Sequence, residues 1–120
     1  MPFIVITVND DGTGINISVN PRQATAQSDN RQLTWVFQAG SSGWNWDSNG
    51  IVLSTDPPSS IYSPWTGPPA QPGEGNSYTA TAPDPGGKDT VFYKYTINLL
   101  KSANGQTMRI DPDIANDPAG

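Results

Sequence analysis

The segment 90–100 reads TVFYKYTINLL, and its alternation decides the fold class. Val91, Tyr93, Tyr95, Ile97 and Leu99 take every second position, with Phe92, Lys94, Thr96 and Asn98 between them. Successive side chains of an extended strand point to opposite faces, so this spacing builds one apolar face and one largely polar face. A helix would scatter the same residues around its circumference. β-Branched and aromatic side chains suit a pleated, half-buried surface, and each contributes roughly 1.5–3 kcal/mol when fully buried. The segment is therefore predicted to be a long strand around which the rest of the chain packs.

The same period recurs on the N-terminal side. In 31–38, RQLTWVFQ, residues Leu33, Trp35 and Phe37 share a face, which predicts a second central strand stacked against the first. Segments 77–82 and 13–19 alternate likewise, through Tyr78, Ala80 and Ala82 and through Ile15, Ile17 and Val19. The run FIVITV at 3–8 is continuously apolar, the mark of a strand buried on both faces. Asp11-Gly12 joins it to the next strand as a hairpin turn, although the acidic residues there also permit a cation-loop reading. Residues 83–87, PDPGG, form a turn, and Asn104-Gly105 marks a two-residue hairpin ahead of QTMRI at 106–110. Residues 22–30 show no period, and DPDIANDPAG at 111–120 is expected to leave the sheet.

A length of 120 residues suits one domain spanning 1–120, and 12 Gly with 12 Pro leave no room for long helices. These features predict an all-β fold: a Greek-key β-sandwich of seven to eight mostly antiparallel strands.

Several function classes are disfavoured by what is missing. The chain has no Cys and no His, so disulfides, thiolate or imidazole metal sites and a histidine acid–base group are all unavailable. No cofactor or metal is expected, and catalysis is not. With six Lys and Arg, dispersed along the chain, and a net charge of −5, neither nucleic acid nor an anionic membrane surface is an expected partner. The start MPFIVITVND lacks the basic segment and longer apolar core of a signal peptide. If it is the natural start, a cytoplasmic location is expected.

Between 39 and 75 the chain changes character, with proline and glycine interrupting all but a short apolar strand at 51–54. Long loops in compact domains are often functional. This one holds three of the four tryptophans, so the candidate binding residues are Trp44, Asn45, Trp46, Asp47, Tyr62 and Trp65. Tyr and Trp offer large rigid area with a polar handle, which suits recognition of a protein partner or self-association. The same aromatics, with Asn49 and Gln71, suit a carbohydrate, or the loop folds back as a lid on the sandwich. A carboxylate-based glycoside-active enzyme would need Glu74 to meet Asp47 or Asp56 across one cleft. Asp111, Asp113, Asn116 and Asp117 supply the hard oxygen donors calcium takes, without the EF-hand spacing; a solvated turn is the other reading.

LTWVF at 33–37 and PGGKDTVFYKY at 85–95 resemble strands of the cupredoxins. On that alignment Tyr95 falls near the cysteine position and 44–46 near the first histidine. The resemblance implies a cupredoxin-like Greek-key sandwich that has lost its copper ligands. An immunoglobulin-like sandwich is the alternative, without the Cys-Trp-Cys signature.

Overall fold

The pattern in 90–100 becomes the longest strand of the molecule. In the computed structural model, which describes residues 3–11, 14–27, 31–37, 43–73, 75–87 and 89–117, the elements in chain order are β1 (Phe3–Asp10), β2 (Ile15–Asn20), β3 (Gln23–Ala26), β4 (Gln32–Phe37), β5 (Trp44–Leu53), β6 (Gln71–Pro72), β7 (Ser77–Thr81), β8 (Val91–Lys101), β9 (Thr107–Ile110) and β10 (Asp113–Asn116). The described residues thus form an all-β structure without helix, with ten strands where seven to eight were predicted.

The strands form two sheets. The β1 sheet runs β2-β1-β4-β7-β6, and the β8 sheet runs β3-β10-β8-β5 with β9 also paired to β8. Both are mixed: β1 pairs parallel with β4 and β3 parallel with β10, while the other pairings are antiparallel. Two sheets stacked about 10 Å apart, with side chains on both outer faces, account for a shortest dimension of 20 Å. The architecture is compatible with a β-sandwich.

The apolar faces meet in one buried cluster. Tyr93, Tyr95, Ile97 and Leu99 of β8 come from one side, and Ile4, Ile6, Leu33 and Trp35 of β1 and β4 from the other. At its centre the Trp35 and Tyr95 rings lie 5.3 Å apart, and Trp35 Nε1 donates to the Tyr95 hydroxyl at 3.1 Å. The predicted stacking of the two central strands is therefore found. A bifurcated tie closes the far end: the Arg31 guanidinium donates to Asn116 Oδ1 at 2.7 Å and to Asp117 O at 3.2 Å, while the buried Asn116 donates from Nδ2 to Pro83 O at 2.7 Å. Among the described residues no buried side-chain polar atom lacks a partner.

Other expectations are corrected. Only one face of β1 is fully buried, through Ile4, Ile6 and Val8; on the other face Phe3 and Asn9 are exposed and Val5 and Thr7 half-buried. The segment 22–30 contains β3, whose inward residues Ala24 and Ala26 are too small to register as a strand face yet are fully buried. Within DPDIANDPAG, residues 113–116 do not leave the sheet: Ile114 carries β10 into the core between β8 and β3. The connection from β8 to β9 is longer than two residues, with Gly105 at φ 73° as such a turn requires. The 11–14 turn is closed by Gly14 N donating to Asp11 Oδ1 at 2.9 Å, though Gly12 lies outside the described residues.

Candidate functional site

About a third of the predicted 39–75 loop is strand, β5 and β6. β5 pairs with β8 from Trp44↔Lys101 to Leu53↔Tyr95, and only at 47–50 does the ladder break. Register passes there from Trp46↔Leu99 to Ile51↔Ile97, so 47–50 bulge out opposite the single residue Asn98. Asn49 adopts φ 54°, a backbone state Asn tolerates better than most residues, and its carbonyl accepts a 2.8 Å hydrogen bond from Asn98 Nδ2. Gly50 follows because nothing larger fits: a Cβ there would lie 2.7 Å from Cε3 of Trp46 and 2.9 Å from Cε1 of Tyr78. The Gly50 N–H donates to the Tyr78 hydroxyl at 3.2 Å.

The six candidate binding residues are placed in separate surroundings. Trp44 is buried, its indole Nε1 donating to Asp10 Oδ2 at 3.2 Å, an oxygen that also pairs with Lys101 Nζ at 2.7 Å. Trp65 is buried too, edge-on to Tyr93 at 5.0 Å and donating from Nε1 to Pro68 O at 3.0 Å. Trp46 is half-buried between Phe37 at 4.6 Å and Tyr78 at 4.9 Å. Asn45 and Asp47 turn back on the chain, accepting from the backbone N–H groups of Trp46 and Ser48. Tyr62 donates to Asp113 Oδ2 at 3.1 Å and lies under Lys94, whose Nζ is 5.3 Å from the ring centre. These aromatics are thus distributed, each engaged with partners of its own.

What the region does build is a groove. A cavity of about 670 Å³ runs between β5 and the 65–72 segment, which ends in β6. Since β5 closes one end of the β8 sheet and β6 one end of the β1 sheet, the groove is the seam where the two layers stay open. Asn49, Val52 and Thr55 line one side, and Pro69, Gln71 and Pro72 the other. Trp65 and Tyr78 line it as well. Its size is that of sites holding small molecules or short peptide segments, and none of its described lining residues is charged. Pro69 and Pro72 on one side restrict φ of the backbone there.

Sequence reasoning singled out Trp65, Asn49 and Gln71 but not Val52 or Tyr78. Tyr78 read as core because it shares a face with Ala80, and the Asn49-Gly50 pair ahead of the strand predicted at 51–54 is the one local signal of the bulge.

The acidic residues near the C-terminus are dispersed as well. Asp113 pairs with Lys94 at 2.8 Å, Asp111 Oδ1 accepts from Thr96 at 2.7 Å, and Asp117 Oδ1 accepts from Thr90 at 2.7 Å. Among the described residues no three His, Cys, Asp or Glu side chains come together as a metal site would need. Glu74, required by the glycosidase reading, lies outside the described residues. At Tyr95, where the cupredoxin resemblance would put the copper cysteine, burial and the Trp35 hydrogen bond fill the position, and a chain with no His or Cys offers no donor set for type-1 copper. Burial pushes the Tyr95 hydroxyl up to about 12, partly offset by the Trp35 hydrogen bond. Among the described residues no helix is long and apolar enough to cross a membrane.

No protein-family model matches the chain, and no curated protein matches it.

Proposed function

We propose that this protein is a non-catalytic binding module that takes up a short, extended, uncharged segment of a partner protein in the groove between β5 and the 65–72 segment. The observation that carries the reading is the uncharged lining of that groove in a chain of net charge −5. A charged ligand would lose its hydration there without gaining a counter-charge, whereas a peptide of small apolar and amide side chains would not. The carboxamides of Asn49 and Gln71 suit the amide groups of an extended backbone, and Val52 and Pro69 offer apolar contact. The fold is read as the cupredoxin-like or immunoglobulin-like Greek key, metal-free, with the groove replacing copper chemistry as the functional feature.

A protein segment is preferred to a sugar because ring stacking needs an open aromatic face. Trp44 and Trp65 are 5% and 4% exposed, and Trp46 is flanked by two other rings. The test is amide-shift mapping with a library of short peptides of Ala, Val, Pro, Ser and Gln, run beside neutral oligosaccharides. Peptide-induced shifts at Asn49, Val52, Gln71 and Tyr78 are expected. Shifts at those residues only with the oligosaccharides, or none with any peptide, would overturn the proposal.

A further inference from the structure

The two strands that border the groove differ at their open edges. In an antiparallel pair, opposed residues alternate between those that exchange main-chain hydrogen bonds and those that do not. Continuing the β5–β8 register past Leu53↔Tyr95 sets Ser54 opposite Lys94, and Ser54 N donates to Lys94 O at 3.0 Å. Ile51 and Leu53, out of phase with Ser54, therefore turn their N–H and C=O groups away from β8. Tyr95 agrees: its N–H donates at 3.1 Å to Pro112 O, just ahead of β10, on the side of β8 away from β5.

The side chains of Ile51 and Leu53 are buried, so it is main chain that these two residues bring to the groove. Among the described residues their outward N–H and C=O groups have no hydrogen-bond partner. Both ends of the stretch are closed, by Gly50 N donating to the Tyr78 hydroxyl at 3.2 Å and by Ser54 O accepting from Trp65 N at 2.9 Å. β6 offers less. Gly73 N donates to Ser77 O at 3.0 Å, so its neighbour Pro72 is the residue that faces away from β7, and Pro72 has no N–H to give.

We infer that the partner segment is added to β5 as a further strand, held by main-chain hydrogen bonds to Ile51 and Leu53. This rests on the groove being the recognition site, as proposed above, and adds what is recognised there: the backbone of the segment. An extended chain repeats every two residues, as Ile51 and Leu53 do, and so presents an N–H and a C=O to each. The uncharged lining suits a main chain that carries no charge of its own. Segments with proline at the alternate positions facing β5 are excluded, because they lack the donor.

Amide hydrogen exchange of the whole chain, alone and with short, capped, uncharged peptides of Ala, Val, Ser and Gln, tests it. In the free protein the N–H groups of Ile51 and Leu53 should exchange well ahead of that of Val52, which points at β8. With peptide bound, both should slow roughly tenfold or more, and by a larger factor than Val52. Single N-methylation along the best-binding peptide gives a second readout. Affinity should fall roughly tenfold at alternate residues and hold within about threefold at those between. A peptide that binds in the groove while Ile51 and Leu53 exchange as before, or that responds alike to N-methylation at every residue, would overturn strand addition and leave the groove reading standing. Ile51 and Leu53 exchanging as slowly as Val52 in the free protein would show the edge already closed and overturn it too. Binding by none of the peptides would remove both.

Discussion

Two of the aromatic groupings in this molecule make a contrast, the pair between the sheets at Trp35 and Tyr95 and the one along the open seam at Trp46 and Tyr78. In the first, both residues are fully buried and hydrogen-bonded to each other. In the second, the rings are half-buried, and Tyr78 lines the groove together with Asn49 of the bulge at 47–50. The residue types are alike, and their surroundings decide what they do. Where two sheets enclose a ring it supplies stability; where the layers part it becomes a wall against which something else can pack.

Substitution should separate the two regions sharply. Trp35→Ala leaves a large cavity between the sheets and strips Tyr95 of its donor, so a loss of roughly 3–5 kcal/mol is expected in urea denaturation. That is a large share of the 5–15 kcal/mol typical of a domain. Alkaline titration should reveal the same centre without mutation. The Tyr95 hydroxyl rises from the usual 10.0 to about 12 on folding, so the folded chain holds this proton to higher pH than the unfolded one. Its contribution is complete below about pH 10 and is lost as the pH climbs through about 12, a fall of roughly 3 kcal/mol that Tyr95→Phe should abolish.

At the seam the effects should be smaller on stability and larger on binding. Gly50→Ala drives a methyl into the Trp46 and Tyr78 rings, with an expected loss of roughly 1–3 kcal/mol and a shifted tryptophan emission, since Trp46 must move. Val52→Glu should change stability by no more than about 0.5 kcal/mol, because Val52 is 43% exposed, while placing a charge in the uncharged groove. Were Val52→Glu to unfold the chain, or Trp35→Ala to leave its denaturation midpoint in place, the division between the two regions would collapse.

The strands built on large alternating side chains were legible in the sequence. Val91 to Leu99 and Leu33 to Phe37 declare a face because each inward residue is big enough to register. β3 escaped because Ala24 and Ala26 fill a narrow gap with almost no hydropathy signal. β10 was hidden by Asp111, Asp113 and Asp117 in and around it, whose carboxylates are met by Thr96 and Lys94 of β8 and by Thr90 just ahead of β8, which no local window contains. The candidate site was legible as a region but not as a shape. Tryptophans in a Pro/Gly setting suggest exposure, yet Trp44 and Trp65 are buried because Asp10 and Pro68, distant or bent back, accept their indole N–H groups. The groove depends on which edge strands of two sheets end side by side, which is a property of topology and not of any segment.

Calorimetric titration of wild type and Val52→Glu with the same groove-binding uncharged peptide bears most directly on the claim that the seam is where this protein recognises its partner. Heat of binding from the wild type, none from Val52→Glu and equal denaturation midpoints for both is the predicted outcome. Equal binding by the two proteins would contradict it.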